Sequence, residues 1–177
     1  MVRGCRQCWR SPLQILRASE NSGVAAIEFA IYALVFLTIL AATVDIGLML
    51  FTASELDAAV SAGAEYALNN AAMVASNPSA LNTAITNIVA NANGSGWASS
   101  TVNVNNSNDG AHCYCPTGLP GNWSWGSTAT CGSACSGGGV AGQFVTITAS
   151  RTVSALFPAF GFVNNGAITR SVIVETQ

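Results

Sequence analysis

Lysine is absent from this 177-residue chain, and charge of either sign is scarce. Only 8% of the residues are charged, against about 25% in an ordinary soluble domain. With so few charges and a net charge of −2, the chain has no electrostatic footprint for nucleic acid, and none is expected as a partner. There is a single histidine, His112. Outside the long apolar stretch no nucleophile–base pair, phosphate-cradling glycine loop or paired carboxylates occur, so no catalytic residue and no cofactor is expected. The charge that remains is unevenly placed. Arg3, Arg6, Arg10 and Arg17 crowd the N-terminus, and the next basic residue is Arg151.

Apolar residues make up 50% of the chain. Residues 24–51 are almost continuously apolar and are charged only at Glu28 and Asp45. The uncharged part, 29–44, would span about 24 Å as a helix, short of the roughly 30 Å hydrocarbon core of a bilayer. Ile27 on one side and residues 46–51 on the other complete a span, with one or both carboxylates near an interface. The arginines before it place the N-terminus in the cytoplasm and the long C-terminal part across the membrane. A secretory signal peptide is the competing reading. Its apolar core would be shorter, and Leu40-Ala41-Ala42 is a mediocre cleavage site.

A carboxylate at mid-bilayer costs about 2.5–3.5 kcal/mol, so Glu28 calls for a use. Gly23 lies five residues before it. Glycine lets an extended backbone lie close to a peptidase, and a cut there would leave Val24 as the new N-terminus. The α-amine of a neighbouring subunit would then partner Glu28 in lipid and set the register of a helix bundle. The plain alternative is a juxtamembrane glutamate facing water. Asp45 has two readings of equal standing: a contact with a partner helix of an assembly, or a carboxylate reaching the outer interface at the end of a short span.

Beyond the span the pattern turns amphipathic. Ala53, Leu56, Val60, Ala64, Ala67, Leu68 and Ala71 recur at helical spacing, and nothing except the tolerated Gly47 and Gly63 interrupts a helix over 24–76. Pro78 ends it. A second helix is expected over 79–92, capped by Ser79, with Leu81, Ala84, Ile85, Ile88 and Ala92 on one stripe. Strands are expected at 101–104, 143–153 and 167–176, the last two joined by the hydrophobic connection 156–162. The fold class is therefore α+β: a long N-terminal helix, membrane-spanning in its first half, packed on a small antiparallel sheet. The organisation divides into a leader at 1–23, a transmembrane helix at 24–52, and an extracytoplasmic domain at 53–177 with a Cys-rich loop at 105–142.

Of six cysteines, Cys5 and Cys8 lie in the leader. Their CxxC spacing suits zinc or redox chemistry, but with no second pair nearby a reduced cytoplasmic tail is the better reading. Cys113, Cys115, Cys131 and Cys135 would lie in an oxidising compartment and form two disulfides, with three pairings open. A metal site there is disfavoured, because C-x-C spacing is cramped for one ion. Tyr114, Trp123 and Trp125 fall inside the same loop. They could contact a sugar or partner surface, or fill a miniature core beneath the disulfides, which a loop of this size needs. The second reading is preferred.

The run Gly23-Val24-Ala25-Ala26-Ile27-Glu28-Phe29 resembles the processing motif of type IV pilins and pseudopilins, in the Flp form where an aromatic follows the glutamate. Val44-Asp45-Ile46-Gly47 through Leu56, and Ala62-Gly63-Ala64-Glu65-Tyr66-Ala67, are similar to the TadE-like family of tight-adherence proteins. The resemblance covers residues 19–76 and, more loosely, 143–177, but not the cysteine loop. Leu48 departs from it, since family members often carry a basic residue there. The resemblance implies a pilin-like shape and a pseudopilin cut by a prepilin peptidase, with Gly23 and Val24 flanking the cut and Glu28 and Phe29 serving assembly. It also implies a bacterial inner-membrane location with a periplasmic outer domain, and other pilins and the pilus assembly machinery as partners in surface adhesion. The rival function is an unprocessed, membrane-anchored binding protein that uses the aromatic loop.

Overall fold

A computed structural model of the chain describes residues 22–118, 122–154 and 166–177. Residues 1–21, with Cys5 and Cys8, expected as part of a leader, and the connection 156–162 lie outside the described residues. The chain divides into two compact units, 1–43 and 44–177. Helix α1 (Ser22–Asn69) is followed by α2 (Ala72–Ser76) and α3 (Pro78–Ala90). The strands are β1 (Ser99–Val104), β2 (Cys113–Tyr114), β3 (Thr128–Ala129), β4 (Phe144–Thr152) and β5 (Ala167–Glu175).

In the first unit α1 exposes every large apolar side chain from Val24 to Leu40, and these point to all sides of the helix. A helix apolar all round needs an apolar surrounding. Its most apolar stretch has a mean hydropathy of 2.4, and α1 is long and apolar enough to cross a membrane. The two threonine hydroxyls of this unit bond back to the helix. Thr38 Oγ1 donates to the Val35 carbonyl at 2.8 Å and Thr43 Oγ1 to that of Ile39 at 2.9 Å, so neither hydroxyl asks for water.

In the second unit the helix changes character. Leu56, Ala59, Val60 and Ala67 are buried along one stripe, at the three- and four-residue spacing that lines one helix face. Against it pack Leu81, Ile85 and Val89 of α3 and the inner face of a sheet. That sheet has the order β1-β4-β5 and is antiparallel throughout, with Val102 opposite Ile147 and Ile147 opposite Val172. Inner residues alternate with outward Ser and Thr: Thr101, Thr148 and Ser171 form the next row. Leu56, Leu81, Ile85 and Ile147 are fully buried, each worth roughly 1.5–3 kcal/mol of burial. Gly63 is the point of closest approach: a Cβ there would lie 2.8 Å from Val89 Cγ2 and 3.3 Å from Ile147 Cδ1.

The sequence pattern predicts α1 as one helix to residue 76, but it stops at Asn69. The Asn70 side chain donates to the Tyr66 carbonyl at 2.9 Å, and its own carbonyl accepts a tight turn from Met73 N at 2.8 Å. Asparagine competes in this way with the helical ladder. The expected cap Ser79 is also replaced. Asn77 Oδ1 accepts from Ala80 N at 3.2 Å, and Pro78 takes the first helical position, where its missing N–H costs nothing.

Gly63→Val is expected to destabilise the second unit by about 1–3 kcal/mol through overpacking. Gly47, with nothing within 4 Å of a Cβ, should tolerate alanine to within roughly 1 kcal/mol. Thermal unfolding of the purified full chain in detergent compares them. A Gly63→Val protein that melts with the wild type would contradict the close crossing.

Candidate functional site

Two places carry groups of chemical interest: the start of α1 and the segment from 105 to 143. At the start of α1, Gly23 is exposed with nothing within 4 Å of a Cβ position, and Val24 is exposed beside it. Glu28 is exposed as well, flanked by Ile27 and by Phe29, which is 74% exposed. The carboxylate thus stands in the middle of an apolar surface. Asp45 differs: it is only 6% exposed and is engaged within the chain.

The second place is a cap built on the far end of the sheet. Cys113 pairs with Cys131 and Cys115 with Cys135, one of the three pairings left open by the spacing. β2 and β3 pair antiparallel, Cys113 opposite Ala129. Tyr114 exchanges backbone hydrogen bonds with Gly142, at 2.8 and 3.1 Å, which ties the cap to the approach of β4. The aromatics form an edge-to-face chain. Tyr114 meets Trp125 at 5.6 Å, Trp125 meets Trp123 at 5.8 Å, and Trp123 meets Phe144 at 5.5 Å. Such pairs add about 0.5–1.5 kcal/mol beyond their buried area. Tyr114 and Phe144 are buried, and both tryptophans are half-buried.

A polar knot fastens this cap. Residues 105–108 make a left-handed turn, all four with positive φ between 41° and 69°, a region asparagine enters more readily than most residues. Asn105 is fully buried; its Nδ2 donates to the Asp109 carbonyl and to that of His112 at 2.7 Å. Gly110 lies so close to α2 that a Cβ would meet the Ala75 carbonyl oxygen at 2.6 Å. The Asp109 carboxylate accepts from Tyr114 Oη at 2.7 Å and Ala111 N at 3.0 Å, and contacts His112 Nδ1 at 2.9 Å. The Tyr114 hydroxyl, the Ala111 amide and His112 hold the Asp109 carboxyl down to about 2, well below its usual 3.8. Burial, with Asp109 beside it, pushes the Tyr114 hydroxyl up. A carboxylate so fully engaged is a fastening and not a base for chemistry near neutral pH.

Residues 23–65 match the family model of TadE-like proteins. This TadE-like segment begins at Gly23 and contains Val24, Glu28, Phe29, Asp45 and the buried stripe through Gly63. It does not extend to the cap or to residues 143–177, where the sequence motifs suggest a looser resemblance. Comparison with curated proteins and with solved structures gives no match.

The cap brings together Cys113, Cys115, Cys131 and Cys135 in pairs, and Tyr114, Trp123 and Trp125 in one cluster. Glu28 and Asp45 belong to neither group. His112 has no obvious acidic partner in the linear pattern, yet Asp109 supplies one three residues earlier. The Asp109-Gly110 pair, a turn signal, is the available clue. Asn105 and Gln143, both buried, carry no sequence signal, because buried amides look like loop residues in a polar run. No three His, Cys, Asp or Glu side chains gather as a metal site among the described residues.

Replacing Cys113 and Cys131 by serine should cost about 3 kcal/mol of stability, the loop-closure value for an 18-residue separation, read by denaturant unfolding under oxidising conditions. Asp109 gives a pH signature. Because its folded value is depressed, its contribution is complete above pH 3.8 and is lost as pH falls towards 2. Asp109→Asn should therefore flatten the stability-against-pH curve in that window, and an unchanged curve would contradict the assignment.

Proposed function

We propose that the chain is a pseudopilin that takes part in assembling a Flp-type tight-adherence pilus used in surface attachment. In this reading residues 1–23 are a cytoplasmic leader removed by a prepilin peptidase, 24–52 span the inner membrane, and 53–177 form a periplasmic domain. The arginine-rich N-terminus supports that orientation. The match of residues 23–65 to TadE-like proteins supports the pilus system, and the all-round apolar surface of α1 supports the membrane.

The observation that carries the proposal is the position of Glu28. It stands exposed on α1 between Ile27 and Phe29, about one turn inside the proposed cut. In lipid an uncompensated carboxylate is costly, and the α-amine exposed at Val24 of an adjacent subunit is a partner of opposite charge. Phe29 beside it gives the neighbouring helix an apolar surface. Pairing of this kind would fix the axial stagger between subunits. Asp45 is buried and already engaged within the chain, so no outside partner is assigned to it. The role is non-enzymatic, and the partners are the membrane, the peptidase and other pilins of the same machinery. The rival reading, a binding protein working through Tyr114, Trp123 and Trp125, gains nothing from a cluster whose rings are spent on each other and on Phe144.

N-terminal sequencing of the chain from membranes with an active prepilin peptidase should find Val24. Glu28→Ala should be cut normally yet fail to support pilus assembly, scored by counting pili. An intact Met1 in such membranes, or full piliation by Glu28→Ala, would overturn the proposal.

A further inference from the structure

Arg151 and Arg170 are the only basic residues after Arg17 apart from His112, and both are drawn to acids on α1 in the second unit. Their states differ. Arg170 Nε is held 3.0 Å from Asp57, and its Nη1 donates to the Thr169 carbonyl at 3.2 Å. Arg151 reaches Glu55 only at 3.9 Å, and Glu55 already accepts from Asn93 Nδ2 at 2.7 Å. The Arg151 guanidinium lies over the Trp97 ring at 4.9 Å, and its side chain is 37% exposed. A cleft opens beside it at one end of the sheet, lined by Trp97, Ser99, Ser150, Arg151, Thr152 and Ala167. Trp97 Nε1 has no hydrogen-bond partner among the described residues.

The position of this cleft indicates its occupant. Val44, Ile46, Leu48, Leu50 and Phe51 of the same unit are large exposed apolar residues, continuing the apolar surface of α1. Glu55 follows Phe51 by one helical turn, about 6 Å along the axis. The headgroup layer of a bilayer is about 5–8 Å deep on each side. Where Phe51 meets the edge of the hydrocarbon, the cleft lies in the headgroups. Tryptophan is enriched at that depth, and arginine keeps its charged head there while its stem lies on apolar surface.

We propose that this cleft seats the phosphate of a membrane lipid headgroup, with the Arg151 guanidinium as its cationic donor and Trp97 packed at the interface. The inference rests on α1 being inserted in the bilayer as proposed above. It gives the outer domain a fixed seating on the membrane surface, independent of any pilus partner.

The test uses the full chain in vesicles of phosphatidylethanolamine and phosphatidylglycerol. With bromine near the headgroup end of the acyl chains, wild-type tryptophan emission should be quenched more than that of Trp97→Phe; with bromine near the chain ends the two should match. Lipid retained through detergent extraction, measured by native mass spectrometry, should fall about fivefold in Arg151→Gln, the weight of one basic residue at a lipid surface. Arg151→Lys should keep most of it, and a phosphate-free glycolipid should be poorly retained. Equal quenching in Trp97→Phe, or equal retention in Arg151→Gln, overturns the inference. Alkaline carbonate washing separates the two failures. If the chain is washed from the membrane, the membrane reading itself is lost. If it stays while Trp97 is unquenched, only the lipid seat is lost.

Discussion

From Val24 to Leu40 helix α1 carries large apolar side chains exposed on every side, and farther along it buries a single stripe. One helix therefore has to suit two surroundings, and most other features follow from that demand. An apolar first surrounding suits threonine hydroxyls that bond back to the helix and a stretch, residues 24–44, charged only at Glu28. The second is an ordinary core, in which small residues matter because α3 and β4 come close. Gly63 and Ala59 hold that crossing open for them. Alanine-rich helices suit both settings, since small side chains permit close packing in lipid and in protein alike.

The sheet serves this arrangement by dividing its faces. Its inner side supplies valine, isoleucine and alanine to the helices, and its outer side is largely serine and threonine. This alternation keeps the domain sparsely charged without exposing a large apolar patch. Several of the charges in the outer domain hold structure together. Acids on α1 engage its two arginines, and Asp109 fastens the cap. The cap is too small to carry a core of its own, so two disulfides and four edge-to-face aromatics stand in for one.

What the sequence makes legible divides along physical lines. The apolar run, the strands β4 and β5 and the second helix announce themselves through periodicity, which local sequence carries in full. The break at Asn70 and the cap at Asn77 depend on which asparagine bonds the backbone, and several candidates lie close together there. The disulfide pairing, the knot of Asn105, Asp109, His112 and Tyr114, and the stacking of Arg151 on Trp97 join residues separated by loops. Nothing in their spacing distinguishes them from solvated polar residues. In the linear pattern Gly63 is only a glycine that a helix tolerates, whereas its role is set by Val89 and Ile147 from distant elements.

The two halves of α1 owe their order to different surroundings. Hydrogen exchange on the full chain, compared between lipid nanodiscs and a mild denaturant that leaves the bilayer intact, addresses this directly. The amides of residues 29–44 should stay slow in the nanodisc at denaturant concentrations that release those of 56–67 together with α3 and β4. If residues 29–44 exchange fast in the bilayer, or are released in step with α3 and β4, a single surrounding governs the whole helix and the account is wrong.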